Sequence, residues 1–120
     1  MADPDRRTVL IAAAATTAAL ALPALAQAGP GAIAIFEADE ASARAFARRA
    51  RERLAIDGDR IRFARRLFAS RRPEKVVAMT RYADYLMLSE SAREHGYRTA
   101  LAARTPPDGA ALFAWTAERG

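Results

Sequence analysis

The chain has 120 residues, contains no cysteine and carries a formal net charge of +5 at pH 7. The lack of cysteine excludes disulfide bonds, thiol catalysis and cysteine-ligated metal sites. With His95 as the single histidine, a zinc or haem site would need carboxylates around one imidazole, which is an uncommon ligand set. We therefore expect neither a metal nor a cofactor, and a fold stabilised by its hydrophobic core alone.

Residues 1–28 have the three features of an export signal. The basic pair Arg6 and Arg7 precedes a mildly hydrophobic run rich in alanine and threonine, and this run closes with small residues at Ala26 and Ala28. The peptidase pocket admits little more than a methyl group at those two positions. The pattern predicts a signal peptide that is cleaved after Ala28.

The arginine pair also indicates the class of signal. Residues 5–28 resemble the twin-arginine signal family, whose receptor reads two arginines just ahead of the apolar run. The lysine often found after the next apolar residues in that family is Ile11 here. The resemblance implies recognition by the twin-arginine translocation machinery, cleavage by signal peptidase and export of a folded domain to the periplasm. The alternative is an uncleaved inner-membrane anchor, because residues 8–28 match the roughly 20 residues that span a bilayer.

The remaining residues 29–120 are enough for one domain. A domain of this size buries only about 60–65% of its unfolded surface, so a homodimer or a partner subunit would help to stabilise it. Its positive charge is concentrated in residues 41–75, where twelve arginine and lysine side chains accompany four acidic ones. We call this stretch the basic segment. Its net charge of +8 is either a solvated helix face or a surface for anionic partners.

Two kinds of anionic partner are candidates for the basic segment. An anionic lipid surface fits its arginines, because guanidinium groups bind phosphate well. Nucleic acid is not expected, since an exported protein seldom meets it and the segment lacks interleaved exposed aromatic side chains for base stacking.

The first half of the domain predicts a strand and a helix. The continuous apolar run of residues 32–36 is typical of a strand covered on both faces, as in a parallel sheet. Asp39 and Glu40 supply a cap and an acidic first turn for a helix over residues 40–54.

Asp59 is expected to cap a second helix over residues 60–70, and a short buried strand follows at residues 76–79. Thr80 is then placed to cap a third helix, which runs to about His95.

Gly96 is expected to end the third helix in a left-handed conformation. Residues 98–104 and 111–118 then alternate with period two, and residues 105–109, rich in proline and glycine, predict the turn between them. These signals predict a C-terminal antiparallel hairpin.

The order of these elements predicts an α/β fold. We expect a small open sheet with two parallel strands and the hairpin at one edge, with about three helices over both faces. The alternative is that residues 76–95 form one long helix.

Polar side chains follow both predicted parallel strands. Ligands of open α/β sheets bind beyond the carboxyl ends of such strands, where a helix N-terminus also offers free N–H groups. We therefore expect one crevice that binds a small anion or polar metabolite. Its candidate ligand-binding residues are Glu37, Asp39, Thr80, Arg81, Tyr82 and Asp84. The alternative is that they only cap the helix and form ion pairs.

No catalytic residue can be assigned from the sequence. There is no glycine-rich phosphate loop and no Gly-x-Ser-x-Gly motif, and Ser91 near His95 is a weak signal for a nucleophile and its base. The pattern favours an exported binding or interaction module, such as an accessory subunit of an exported complex. The alternative is a small hydrolase or isomerase that uses carboxylates.

Overall fold

A computed structural model describes residues 31–104 and 111–120. The predicted signal peptide and the predicted turn at residues 105–109 lie outside these ranges. The described part contains a single sheet. Its strands, in chain order, are β1 (Ala32–Glu37), β2 (Arg53–Ile56), β3 (Lys75–Arg81), β4 (Tyr97–Arg104) and β5 (Leu112–Arg119).

The strands lie in the order β2-β1-β3-β5-β4. Strand β1 pairs in parallel with both β2 and β3, whereas β5 is antiparallel to both β3 and β4. The predicted α/β class, open sheet and C-terminal hairpin are confirmed. The number of parallel strands was underestimated, because the sheet has three instead of two.

Helices cover both faces of the sheet, as predicted. They are α1 (Ala41–Ala47), α2 (Arg60–Ala64), a π-helical segment that continues α2 (Arg65–Arg71), and α3 (Tyr82–Glu94). Among the residues that the structure describes, no helix is long and apolar enough to cross a bilayer.

The core consists of two layers, one on each face of the sheet. Helix α1 contributes Phe46 to the first layer, where Val77 and Met79 of β3 also lie. The second layer lies under α2, the π-helical segment and α3, and includes Phe68 and Trp115. Because side chains of a strand alternate between faces, a continuous apolar run such as that of β1 supplies both layers.

The predicted helix over residues 40–54 is wrong in its second half. Helix α1 ends at Ala47, and β2 begins at Arg53. The backbone N–H of Ala34 donates to the carbonyl of Glu52 at 2.9 Å, so this stretch satisfies the backbone of β1. The apolar pattern of residues 48–54 fits the end of a helix as well as a short edge strand. Pairing with β1 makes residues 53–56 a strand.

Helix boundaries were predicted well at two positions and incorrectly at a third. The Asp59 carboxylate accepts from the N–H groups of Ile61 and Arg62, as expected of a cap, and this lowers the pKa of Asp59. Gly96 has a φ of 87° after α3. Thr80 does not cap α3, because β3 continues through it and Arg81 is the N-cap. This boundary also makes the single-helix alternative for residues 76–95 wrong.

Candidate functional site

The crevice of this sheet lies between the carboxyl ends of β1 and β3. The chain leaves β1 towards β2 on one side, and it leaves β3 towards the hairpin on the other. This divergence is the topological switch point at which open α/β sheets bind ligands. Glu37 ends β1 and Arg81 ends β3, so the switch point brings these two residues together.

Arg81 is the centre of the polar network at this point. Its Nη1 lies 3.1 Å from Oε2 of Glu37, and its Nη2 lies 2.8 Å from Oδ2 of Asp39 and 2.9 Å from Oε1 of Glu40. The hydrogen bond from Arg81 lowers the pKa of Asp39, and the bonds to Asp39 and Glu40 raise the pKa of Arg81. One guanidinium therefore joins three carboxylates from β1 and the turn after it.

Glu37 is the buried acid of the network, with 1% of its side chain exposed. Its Oε1 also accepts from the backbone N–H of Arg81 at 3.3 Å. Burial, followed by a hydrogen bond shared with Asp84, raises the pKa of Glu37 to about 7. Glu37 therefore changes its protonation state near neutral pH, and its protonated form can donate to Asp84.

Arg60 is the second cation of the network and reaches it from α2. Its Nε donates to Oδ1 of Asp84 at 3.0 Å, and its Nη2 lies 3.7 Å from Oε2 of Glu37. Burial opposes ionisation of Asp84, but the hydrogen bonds with Glu37 and Arg60 prevail and lower its pKa. The bond to Asp84 in turn raises the pKa of Arg60.

These residues form what we call the strand-end cluster. Its members are Glu37, Asp39, Glu40, Arg60, Arg81 and Asp84. Four carboxyl groups face two guanidinium groups, so the cluster is negative even with one proton on Glu37. This balance disfavours the small anion expected from the sequence, because each arginine already contacts carboxylates. Binding of a polar metabolite at the cluster stays a prediction.

Two of the candidate residues lie outside the cluster. Thr80 is buried, and its hydroxyl donates to the carbonyl of Arg81 and accepts from the indole N–H of Trp115 at 3.0 Å. Tyr82 is half exposed and packs on Phe113, with the ring centroids 5.1 Å apart. Thr80 is thus part of the core, and Tyr82 belongs to an aromatic surface beside the crevice.

A second concave site lies at the free side of β2. This edge pocket has a volume of about 450 Å³ and lies between β2 and the helical segments after it. Its lining residues are Leu54, Ala55, Asp57, Phe63, Arg66, Leu67 and Arg71. Apolar side chains, two guanidinium groups and the carboxylate of Asp57 therefore share one opening.

The two arginines of the edge pocket differ in their partners. Arg71 forms an ion pair with Glu52, and both side chains are about half exposed. Arg66 is exposed and forms no ion pair with any of the residues described. The pocket was not predicted, because the sequence assigned Leu54 to the end of a helix. Burial rises along β2 from exposed Arg53 and Leu54 to buried Ile56, so the strand lacks the alternation from which a sequence predicts a strand.

The sequence carries a weak signal for a nucleophile and its base at Ser91 and His95. The Nδ1 atom of His95 lies 2.8 Å from the backbone carbonyl of Ser91, at the C-terminus of α3, so this ring nitrogen pairs with the helix backbone and not with the serine hydroxyl. No group of three or more histidine, aspartate or glutamate residues within the described ranges is arranged to hold a metal ion.

Comparisons with protein-family models, with characterised proteins and with solved structures found no match to this chain. The function of this protein is therefore inferred from its own residues and geometry.

Proposed function

We propose that this protein is an exported binding module that takes an anionic ligand or partner on the side formed by its basic segment. The observation that carries the proposal is the edge pocket, whose apolar floor opens beside Arg66 and Arg71. Ligand sites in proteins are commonly concave and apolar, with a few polar groups that orient the ligand. Guanidinium groups at the opening select for carboxylate or phosphate.

The charges around the pocket support an anionic ligand. Three further arginines form no ion pair with an acidic side chain in the described part of the chain. They are Arg53 on β2, Arg62 on α2 and Arg65 in the π-helical segment. The strand-end cluster, by contrast, carries most of the acidic side chains near the crevice. Arg53 lies on the strand that borders the pocket, and Arg62 and Arg65 lie on the helical segments that border it. All three belong to the basic segment, whose net charge is +8.

A heparin column tests this proposal. The triple variant Arg62→Gln, Arg65→Gln and Arg66→Gln should elute at clearly lower salt than the parent, because it removes unpaired charge beside the pocket. The matched control replaces Arg93, Arg98 and Arg104 by glutamine, which removes the same charge from α3 and β4, outside the basic segment. Equal losses in the two variants would mean that retention reports net charge only, and the proposal would be wrong.

Export by the twin-arginine route is the second part of the proposal, and it rests on residues 5–28 of the sequence. Replacing Arg6 and Arg7 by lysine keeps the charge and should leave the precursor in the cytoplasm, because the receptor reads paired guanidinium groups. Export of the lysine variant at the parental level would contradict this assignment. Periplasmic protein should begin at Gly29, whereas an intact N-terminus would favour the anchor.

A carboxylate-dependent enzyme is the second candidate function, and one observation favours it. Glu37 has a pKa of about 7 beside the more acidic Asp84, and a general acid or base works best with a pKa near the working pH. Turnover of a panel of esters and glycosides by the parent, lost in Glu37→Gln but kept in Arg66→Gln, would support the enzyme. Absence of turnover in the parent across the panel would count against it.

A further inference from the structure

We propose that an extended, acidic segment of a partner protein binds as an additional strand along β2 and places an apolar side chain in the edge pocket. This inference rests on the proposed function and names the kind of partner and the way it binds. Three independent features of the molecule support it: the backbone of β2, the position of the pocket and the charges around both.

The outer side of β2 offers unpaired backbone groups. The carbonyl of Glu52 accepts from Ala34 of β1, and the two strands are parallel. In a parallel ladder alternate residues point their N–H and C=O groups to the same neighbour, so those of Arg53 and Ala55 point away from β1. No other described strand pairs with β2. A fourth parallel or an antiparallel strand can therefore be added at this side.

The edge pocket lies where the side chains of an added strand would fall. Leu54 is in register with Ile35 of β1, so both point to the face covered by α2 and the π-helical segment. An added strand continues the sheet outward, and its alternate side chains point to the same face. There they meet Phe63 and Leu67, which form the apolar wall of the pocket, and the 36% exposed side chain of Leu54.

The charge around the edge selects the occupant. Arg53 lies on β2 itself, and Arg66 and Arg71 line the pocket. Arg71 already pairs with Glu52, so a basic or neutral strand would leave Arg53 and Arg66 without an acidic partner at the interface. Residues next to the apolar one in an added strand point to the face of Arg53, and residues two positions away point to the pocket face, where Arg66 lies. Glutamate or aspartate at these positions can pair with the two arginines. Strand addition by peptides uses backbone hydrogen bonds for affinity and side-chain pockets for specificity, and both are present here.

A second copy of this chain fits less well than an acidic segment. Pairing two copies through β2 would bring two basic segments together, each with a net charge of +8. Like charges in contact oppose association. The other edge strand, β4, has exposed Leu101 on the face of Trp115 but lies outside the basic segment. Charge therefore favours a foreign acidic segment at β2.

The test uses the full chain and a labelled, end-blocked peptide with one central leucine and two glutamates on each side of it, so that acidic side chains point to both faces. Binding is followed by fluorescence anisotropy. The peptide should bind with an affinity that falls as salt is raised. The variant Ala55→Pro removes an outward N–H and places a ring in the path of the added strand. It should weaken binding about tenfold or more, since one lost hydrogen bond of about 1.4 kcal/mol corresponds to that factor.

Further controls separate strand addition from charge alone. The variant Arg66→Gln/Arg71→Gln should weaken binding several-fold, whereas Arg48→Gln/Arg49→Gln removes the same charge near α1 and should have little effect. A peptide methylated on alternate backbone nitrogens tests the backbone without changing the protein, so the test stands even if the proline variant is unfolded.

Several outcomes would overturn the inference. One is that the unmethylated peptide and both methylated peptides, one for each set of alternate backbone nitrogens, bind equally well. Another is that a peptide with lysine in place of glutamate binds as well as the acidic peptide. Dimerisation of the parent that Ala55→Pro abolishes would assign the edge to a second copy. A further outcome separates this inference from the proposed function. If retention on heparin depends on Arg66 but the peptide binds the parent and Ala55→Pro equally well, strand addition is wrong and the proposed function still holds.

Discussion

The strand-end cluster and the edge pocket both contain arginines beside acidic side chains, but the arginines have different surroundings. In the cluster, Arg60 and Arg81 contact four carboxyl groups, one of which is 1% exposed. In the pocket, Arg66 is exposed and no acidic side chain among the described residues pairs with it. The cluster therefore holds β1, β3, α2 and α3 together, whereas the pocket leaves charge available to a ligand.

This difference favours the alternative that the sequence left open, in which the strand-end residues form ion pairs. The residues at the strand ends were expected to bind a ligand, and the basic segment had a solvated helix face as one interpretation. The network of ion pairs gives the strand-end residues a role in stability, because removing one member leaves a buried charge without a partner. Four substitutions test whether stability and binding are divided between the two sites in this way.

The largest effect is expected from Arg81→Ala. This change removes the partner of Glu37, Asp39 and Glu40, so it should lower the free energy of unfolding by roughly 2 to 3 kcal/mol, less than for a fully buried pair because 36% of the Arg81 side chain is exposed. Urea denaturation measures this value. The control Arg93→Ala removes an exposed arginine on α3 whose side chain donates to Thr99, and it should cost less than about 1 kcal/mol. Similar stabilities of the two variants would contradict a structural role for the cluster.

The second prediction concerns pH and uses Glu37→Gln. The folded pKa of Glu37, about 7, is above its unfolded value, so the folded protein binds the proton more tightly. Its contribution to stability is complete below the unfolded pKa and is lost as pH rises through 7. The parent should lose roughly 2 kcal/mol between pH 5 and pH 8 from this group, since one pKa unit corresponds to about 1.4 kcal/mol.

Glutamine cannot ionise but can donate to Asp84 as the protonated acid does. The stability difference between the parent and Glu37→Gln should therefore shift in favour of the variant as pH rises. Denaturation at pH 5 and pH 8 gives the two differences. Equal differences at the two pH values would show that Glu37 does not titrate in this range.

A smaller effect on stability is expected from Thr80→Val, which changes a buried side chain next to Arg81. Valine has nearly the shape of threonine, but it leaves the indole N–H of buried Trp115 without its acceptor. An unpaired buried donor costs about 1 to 2 kcal/mol. The control Thr99→Val changes a partly exposed hydroxyl on β4 and should cost less. If both variants unfold at the same urea concentration, the hydroxyl of Thr80 is not needed inside the core.

Much of the fold could be predicted because local signals agreed with tertiary structure. The cap at Asp59 and the glycine at Gly96 act through one or two residues, so the sequence specifies them directly. The continuous apolar run of β1 indicated burial on both faces. Strand β2 could not be predicted, because its four residues also continue the apolar spacing of α1, and only pairing with β1 separates the two structures.

The site was predictable in its positions but not in its chemistry. The strand ends predicted that Glu37 and Arg81 would meet, and they are 3.1 Å apart. The arrival of Arg60 from α2 depends on the path of the chain around β2, which the sequence did not indicate. This arginine and the hydrogen bond between Glu37 and Asp84 give the crevice a closed polar network. Likewise, the edge pocket exists only because β2 is a strand.

The smallest effect on stability is expected from Arg66→Gln, in the edge pocket. The side chain is exposed and lies among other arginines, so its loss removes repulsion as well as solvation, and the free energy of unfolding should change by less than about 0.5 kcal/mol. Binding of the acidic peptide should nevertheless weaken. The matched change Arg60→Gln removes the same charge six residues nearer the cap but breaks the pair with Asp84, and it should lower stability measurably. A large loss of stability in Arg66→Gln would mean that its charge is used within the fold, and the division of roles between pocket and cluster would fail.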